Sequence, residues 1–324
     1  MKKTAIAPSN IAFIKYWGRK NEELRLPENG SISMNLSNLV TTTTVEFDES
    51  LIKDTIIIDG QEEEKESTRA IKHLDRIRKL AHTNLFAKVL SQNNFPSGTG
   101  LSSSASGFAA LTVAASAAAG LNPSEKELSV LARLGSGSAC RSIPDGFTEW
   151  LDGDTNGSSY AISLYPPSYW DIADVVVIAS SEKKKVSTTE GQKLSNTSPF
   201  YATRQKNLPK KIEQLKKFLK DQNFTEFGKI IESEALELHS IMLTSTPSLI
   251  YLLPNTIRIM HEVKTMRDNG IEVYFTLNTG QDVHLICRAK DAQLISDRIK
   301  KVEGVKHTII NTPSNGTTLS ENHL

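Results

Sequence analysis

Only two cysteines, Cys140 and Cys287, occur in the 324 residues. That is too few for a disulfide framework and fits a reducing compartment. The seven histidines are scattered, with no metal-type spacing among themselves or to the cysteines, so no zinc site is expected. No run approaches the roughly 20 apolar residues that a membrane helix needs. The first residues, MKKTAIAPSN, carry two lysines but no apolar signal core, because Ser9, Asn10 and Lys15 interrupt it. An excess of one charge is missing as well: 38 basic against 37 acidic residues leave a net +1. A nucleic-acid binder usually carries a basic surplus. These absences predict a soluble, cytoplasmic protein without a membrane or nucleic-acid partner. The length allows a large core and two domains.

What is present is a mixed order of elements. Residues 41–47 and 54–60 are β-branched and read as strands, the second closing on a turn. Residues 67–80 predict a helix with Ile71, Leu74, Ile77 and Leu80 on one face. Ser124 and Glu127 form a capping-box start for a helix running into residues 133–141. Residues 174–179 read as a buried strand. Beyond residue 180 long charged helices follow, expected at 209–220 with Ile212, Leu215, Phe218 and Leu219 inward, at 224–243 and at 255–269. Strand-like runs at 271–277 and 283–287 flank a turn at 278–282. A helix at 291–301 and a strand at 306–310 close the order. This is not regular βαβα alternation, so the expected class is α+β. The expected domains are 1–183 and 184–324.

Three stretches carry chemistry. In FPSGTGLSSSASGFAAL (residues 95–111), Gly98 and Gly100 permit turns that aim backbone N–H groups at one point. The alanine-rich helix that follows adds the positive end of its dipole, which suits phosphate. It is neither a Walker A loop nor G-x-G-x-x-G, because no Lys-Ser/Thr follows and Ser103 holds the third glycine position. A tight turn into a capped core helix is the plainer alternative. The second stretch, GSGSACR (135–141), sets two hydroxyls and a guanidinium in one turn. It reads either as a bidentate site for carboxylate or phosphate or as a surface turn with a solvated arginine. In the third, NIAFIKYWG (10–18), Lys15 stands beside two aromatics, in a pocket or on the wet side of a strand.

Together with LPENGSIS (26–33), VSTTEG (186–191) and YFTLNTG (274–280), these stretches come in an order that resembles the mevalonate diphosphate decarboxylases of the GHMP small-molecule kinase superfamily. The resemblance spans nearly the whole chain. It implies a ribosomal-protein-S5-like N-terminal domain, a ferredoxin-like C-terminal domain and an active site between them. The implied reaction uses ATP and Mg2+ to convert mevalonate 5-diphosphate to isopentenyl diphosphate, CO2, ADP and phosphate, in isoprenoid biosynthesis. It also implies a homodimer. Carried over by position, Asn94, Ser97, Gly98, Gly100, Ser102, Ser103 and Ser104 would hold ATP, with the Ser104 hydroxyl available to the metal. Ser136, Gly137, Ser138 and Arg141 would hold the mevalonate portion, Arg141 on its carboxylate. Lys15 and Tyr16 would line the same pocket, and Arg69 with Thr188 would reach the diphosphate. Lys15, Arg141 and Asn278 would be the catalytic set.

The resemblance breaks at position 278, where the family carries an aspartate that orients or deprotonates the tertiary hydroxyl. An amide can hydrogen-bond that hydroxyl but cannot take its proton. Asp282, four residues on, is a candidate substitute. Thr189 stands where some relatives are basic, Asp145 replaces a small residue and Gln192 a common methionine. The alternatives left open are a kinase acting on the tertiary hydroxyl with little decarboxylation, and a silent binder of nucleotide or mevalonate phosphates. The lysine run 183–185 reads as an anion-steering or a solvated segment.

Overall fold

The computed structural model describes residues 1–180, 182 and 184–324. In chain order the elements are β1 (Lys2–Ile14), β2 (Arg19–Asn21), β3 (Leu26–Pro27), β4 (Ser31–Asp48), β5 (Thr55–Ile58), α1 (Glu64–Ala81), β6 (Phe86–Asn93), α2 (Ser103–Ala118) and α3 (Glu125–Gly135). A 3-10 turn, Gly137–Ser142, follows α3. Then come β7 (Phe147–Trp150), β8 (Ala161–Tyr165), β9 (Ile172–Ile178), α4 (Thr188–Gln192), α5 (Tyr201–Lys220), α6 (Phe224–Leu243) and α7 (Pro254–Asp268). The chain ends with β10 (Val273–Thr276), β11 (Val283–Arg288), α8 (Ala292–Ile299), β12 (His307–Asn311) and β13 (Thr318–Ser320).

The first sheet is built on β4, long enough to pair β1 along its length, β6 beside its second half and β7 beside its first. Its order is β13-β1-β4-β6-β5, with β7 and β8 branching off. Only β5 and β6 run parallel; every other pair is antiparallel, which is the expected α+β pattern. The second sheet, β10-β11-β9-β12, is antiparallel throughout. It takes β9 from before residue 183, where the domain division is expected, and β13 returns from the chain's end to pair with β1. Lys183 itself lies outside the described residues.

Helix α2 is apolar almost all round because it is buried on nearly every side. Its small side chains let it lie between the first sheet, α1 and α3, where Ala109, Ala110 and Ala114 pack against Ala5, Val45 and Leu74. Gly135 ends α3 against the Phe108 ring, where any Cβ would overlap the ring. A second core joins Ile11, Phe13 and Met34 of the first sheet to Phe227 and Ile231 of α6 and Ile286 of β11, so the two halves share one interior.

Some expectations need correction. Leu80 is exposed, and the buried face of α1 is Ala70, His73, Leu74 and Ile77. Helix α5 begins at Tyr201 rather than near Pro209; the buried Tyr201 and Leu208 hold the earlier turns, so the proline sits inside the helix at the loss of one hydrogen bond. Strand β6 has no strong alternation, yet it lies inside the sheet between β4 and β5.

Two glycines bring the backbones of the two halves together beside the loop before α2. A Cβ on Gly100 would lie 2.7 Å from the Gly280 Cα, and a Cβ on Gly280 would overlap the Thr99 carbonyl oxygen. Gln281 N donates to that same oxygen at 3.3 Å. Gly280→Ala is therefore expected to push the 278–282 turn off the loop and cost roughly 1–3 kcal/mol of stability, read as a lower thermal unfolding midpoint. An unchanged midpoint would show that the contact is not tight.

Candidate active site

Four segments converge on a cleft of about 560 Å³. The loop before α2 forms one wall. Gly98 (φ 79°), Gly100 (φ 120°) and Ser102 (φ 58°) all occupy left-handed backbone conformations, uncommon for a serine. Ser102 stands at the N-cap of α2 but makes no side-chain capping bond. The helix start thus lacks the internal acceptor that the plain capped-helix alternative requires, and its open N–H groups suit an external anion. Ser97, Ser103 and Ser104 line the same wall.

The turn after α3 forms the second wall. Ser104 Oγ and Ser136 Oγ lie 3.3 Å apart, joining the two loops. Arg141 is buried, not solvated: its terminal nitrogens donate to Ser31 Oγ (2.8 Å) and Asn10 Oδ1 (3.0 Å). Its Nε is buried without a partner among the described residues. An unpaired buried donor is costly, and a ligand oxygen would satisfy it. Gly137 is needed here because a Cβ would sit 2.9 Å from Tyr16 Cε1.

Lys15 ends the long β1 and is buried in the cleft, not on a wet face. Its Nζ donates to Thr276 Oγ1 (2.7 Å) and to the Ala12 carbonyl. Burial pulls its pKa down to about 7, a shift that Glu234 opposes and Arg141 reinforces. Tyr16 packs edge-on to Trp150 and its hydroxyl accepts from Arg19 Nε at 2.7 Å.

The fourth segment is the turn 278–280. Asn278 Nδ2 donates to Ser102 Oγ (3.0 Å) and to the Asn10 carbonyl (3.3 Å), while its Oδ1 accepts from Ala12 N (3.3 Å). The amide thus mimics a peptide group against β1. His239, its pKa pushed down to about 4 by burial, is neutral and donates through Nε2 to the Asn278 carbonyl (3.1 Å). Asp282 lies behind the turn and outside the cleft lining: its Oδ1 accepts from Ala179 N at 2.9 Å, and burial raises its pKa.

Arg69 lines the cleft, paired with Glu66 at 2.8 Å and lying over the Phe108 ring. Thr188 Oγ1 accepts from Lys184 Nζ at 2.7 Å. Ser138 and Gly98 are in the lining, whereas Asn94 is not: its amide joins the Val40 N–H to the Asn38 carbonyl beside a separate shallow hollow. The sequence assigns no role to Arg19 or Arg25 and leaves Lys184 between an anion-steering and a solvated reading. Lys184 also donates to the Thr279 carbonyl (2.6 Å), and burial pulls its pKa down to about 8. Its neighbour Lys185 is exposed. Arg19 and Arg25 line the cleft from the β2–β3 hairpin. The one available signal for Arg25 is its position between Leu24 and Leu26, an arginine inside an apolar triplet.

A glycine-serine loop opening onto a helix start thus faces a cation-lined cleft between two α+β halves, an arrangement suited to anionic ligands. Family models for the diphosphomevalonate decarboxylase-like N-terminal domain and the mevalonate 5-diphosphate decarboxylase C-terminal domain match residues 7–161 and 174–322. The diphosphomevalonate decarboxylase of Candida albicans is 34% identical over 85% of this chain and 81% of its own length. The crystal structure of mevalonate diphosphate decarboxylase from Staphylococcus aureus has a TM-score of 0.93 and 35% identity, covering 99% of this chain and 98% of that one. A structure of MDDEF in complex with MVAPP, AMPPCP and magnesium has the same TM-score at 36% identity, covering 99% of each chain. The chain belongs to the diphosphomevalonate decarboxylase family, ATP-dependent decarboxylases within the GHMP kinase superfamily.

Asn278→Asp is expected to lower the unfolding midpoint. The substituted oxygen would face the Asn10 carbonyl where Nδ2 now donates, a loss of roughly 1–3 kcal/mol. A midpoint equal to that of the parent protein would show that the amide pairing with β1 carries no stability.

Proposed function

We propose that this chain catalyses the ATP-dependent decarboxylation of mevalonate 5-diphosphate to isopentenyl diphosphate, CO2, ADP and phosphate. The observation that carries this reading is the meeting of an uncapped helix start, a buried arginine with an orphaned Nε, and several cations in one cleft. Two polyanions must be held there and aligned, and catalysis of phosphoryl transfer is mostly positioning and electrostatics. In this reading residues 1–183 supply the nucleotide and substrate loops, and 184–324 supply the turn that covers them.

The ATP phosphates lie against the left-handed Gly98–Ser102 backbone and the start of α2, with Ser103 and Ser104 as hydroxyl donors. Mg2+ neutralises phosphate charge during transfer. Ser104 is the hydroxyl we assign to it. Among the described residues no group of three or more His, Cys, Asp or Glu could hold a metal. Magnesium usually takes few protein ligands, so the Ser104 hydroxyl would suffice as the chain's own contribution.

Arg141 pairs with the mevalonate carboxylate, with Ser136, Gly137 and Ser138 beside it. The tertiary hydroxyl oxygen attacks the γ-phosphorus and the bond to ADP breaks. The new phosphate then leaves with the C–O electron pair. Carbon dioxide departs, and its C–C electrons form the double bond. Protonated Lys15 faces the phosphoryl group and stabilises the charge gathered on it, a role that bound anions favour by raising its pKa again. Position 278 carries an amide and the Asp282 carboxylate lies outside the cleft lining, so neither takes the hydroxyl proton. A loose transition state tolerates this, because the proton can pass late to the transferred phosphate.

A homodimer in the cytoplasm belongs to the same proposal, and both buried free thiols suit a reducing compartment. The protein incubated with Mg-ATP and mevalonate 5-diphosphate is expected to release ADP and isopentenyl diphosphate in equal amounts by mass spectrometry. ADP with a phosphorylated, undecarboxylated product would instead support the kinase alternative. Nucleotide binding without turnover would support a silent binder.

A further inference from the structure

The far end of the cleft carries more positive charge than its local pairing explains. Arg19, Arg25 and Arg69 all line it, close enough that the charges of Arg19 and Arg69 disfavour protonated Arg25. Arg19 is balanced by Glu22 at 2.6 Å and Arg69 by Glu66 at 2.8 Å. Arg25 has no ion-pair partner among the described residues. After burial, the other two arginines do most to bring its pKa down to about 10, against Tyr16.

The protein nevertheless holds Arg25 in place. Its backbone is left-handed (φ 49°), and its Nε donates to the Leu134 carbonyl at 3.1 Å. Arg133 returns the tie through its own Nε to the Leu24 carbonyl at 3.1 Å. The β2–β3 hairpin is thereby strapped to the last turn of α3, immediately before Ser136 and Gly137. With Nε anchored, neither terminal nitrogen of Arg25 has a hydrogen-bond partner among the described residues. A preorganised, unpaired guanidinium fork between two other cations matches a doubly charged, multi-oxygen anion better than a singly charged one.

Resting on the proposed reaction, we infer that Arg25 is a specificity-determining residue that grips the terminal phosphate of the substrate and selects a diphosphate over a monophosphate. It touches neither the Ser102–Ser104 loop nor Lys15 in any recorded hydrogen bond, so its effect falls on binding and not on the chemical step.

The test compares wild type with Arg25→Gln and Arg25→Lys. Steady-state kinetics use mevalonate 5-diphosphate and mevalonate 5-phosphate, and calorimetry uses inorganic pyrophosphate as a turnover-free probe. Arg25→Gln is expected to raise KM for the diphosphate by about tenfold or more, with kcat within about threefold and a smaller change for the monophosphate. Pyrophosphate affinity should fall in parallel. Arg25→Lys keeps the charge but loses the fork, so a KM about threefold above wild type is expected. If Arg25→Gln unfolds at lower temperature, Arg25→Lys carries the test. An unchanged diphosphate KM and pyrophosphate affinity in a folded variant would overturn the assignment while the reaction stood. Arg25-dependent pyrophosphate binding without turnover in wild type would support the grip and overturn the reaction.

Discussion

The site depends on one contact, the backbone-to-backbone approach of Gly100 in the loop before α2 to Gly280 in the β10–β11 turn. Neither half alone makes the cleft: the loop, Lys15 and Arg141 come from the first, while Asn278 and Thr279 come from the second. A side chain at either glycine would hold the halves apart by more than a hydrogen bond tolerates. Around this contact the Asn278 amide reaches Asn10, Ala12 and Ser102, and Gln281 reaches Thr99. His239 fixes the carbonyl of the same turn from α6. The result is a seam where the loop before α2 and the pocket of Lys15 and Arg141 share a wall.

Two kinds of buried charge sit on either side of that seam. Behind Lys15, Arg204 and Lys211 pair with Glu234 and Glu237, a network in which each cation meets a carboxylate, although Arg204 Nε and Nη1 find no hydrogen-bond partner among the described residues. Glu234 also accepts the Lys15 backbone N–H at 3.2 Å, tying the network to the end of β1. In front, Lys15 and Arg141 are buried and Arg25 is half-buried, none with a side-chain ion pair to a carboxylate among the described residues, and burial lowers the pKa of each. Uncompensated buried charge destabilises a fold. Its retention in the cleft, where no carboxylate pairs with it among the described residues, is what the proposed site for polyanions requires: the missing counter-charge would arrive with the ligand.

Much of this was legible in the sequence, and for identifiable reasons. Helix α6 and the capping box at Ser124 have strong local signals, and both form as read. Gly98, Gly100 and the serines after them announce a loop needing unusual backbone angles. What stayed hidden depends on tertiary context. Strand β6 shows little alternation in its residue types, although its first four residues alternate between exposed and buried in the sheet. Lys15 reads equally well as wet or buried, since a single lysine beside aromatics does not reveal which sheet face is covered. Lys184 sits in a lysine run that looks like a solvated loop, and only the fold brings its ammonium to Thr188 and Thr279.

Position 278 shows why a residue exchange must be read in its setting. From sequence, asparagine there is the loss of a carboxylate. In the structure, the amide is engaged on both sides, donating to the Asn10 carbonyl and accepting from the Ala12 N–H. A carboxylate could accept from Ala12 but would meet the Asn10 carbonyl as a second acceptor. Asp282 offers no relief, because its carboxylate is directed at the Ala179 N–H behind the turn. The geometry favours the seam over a proton acceptor, and a phosphoryl transfer with a loose transition state is the kind of step that permits it. In such a step little bonding to the nucleophile has formed at the barrier, so the hydroxyl is only slightly more acidic there than in the ground state. In the proposed reaction Lys15 and Arg141, placed for charge and orientation, then matter more than any base.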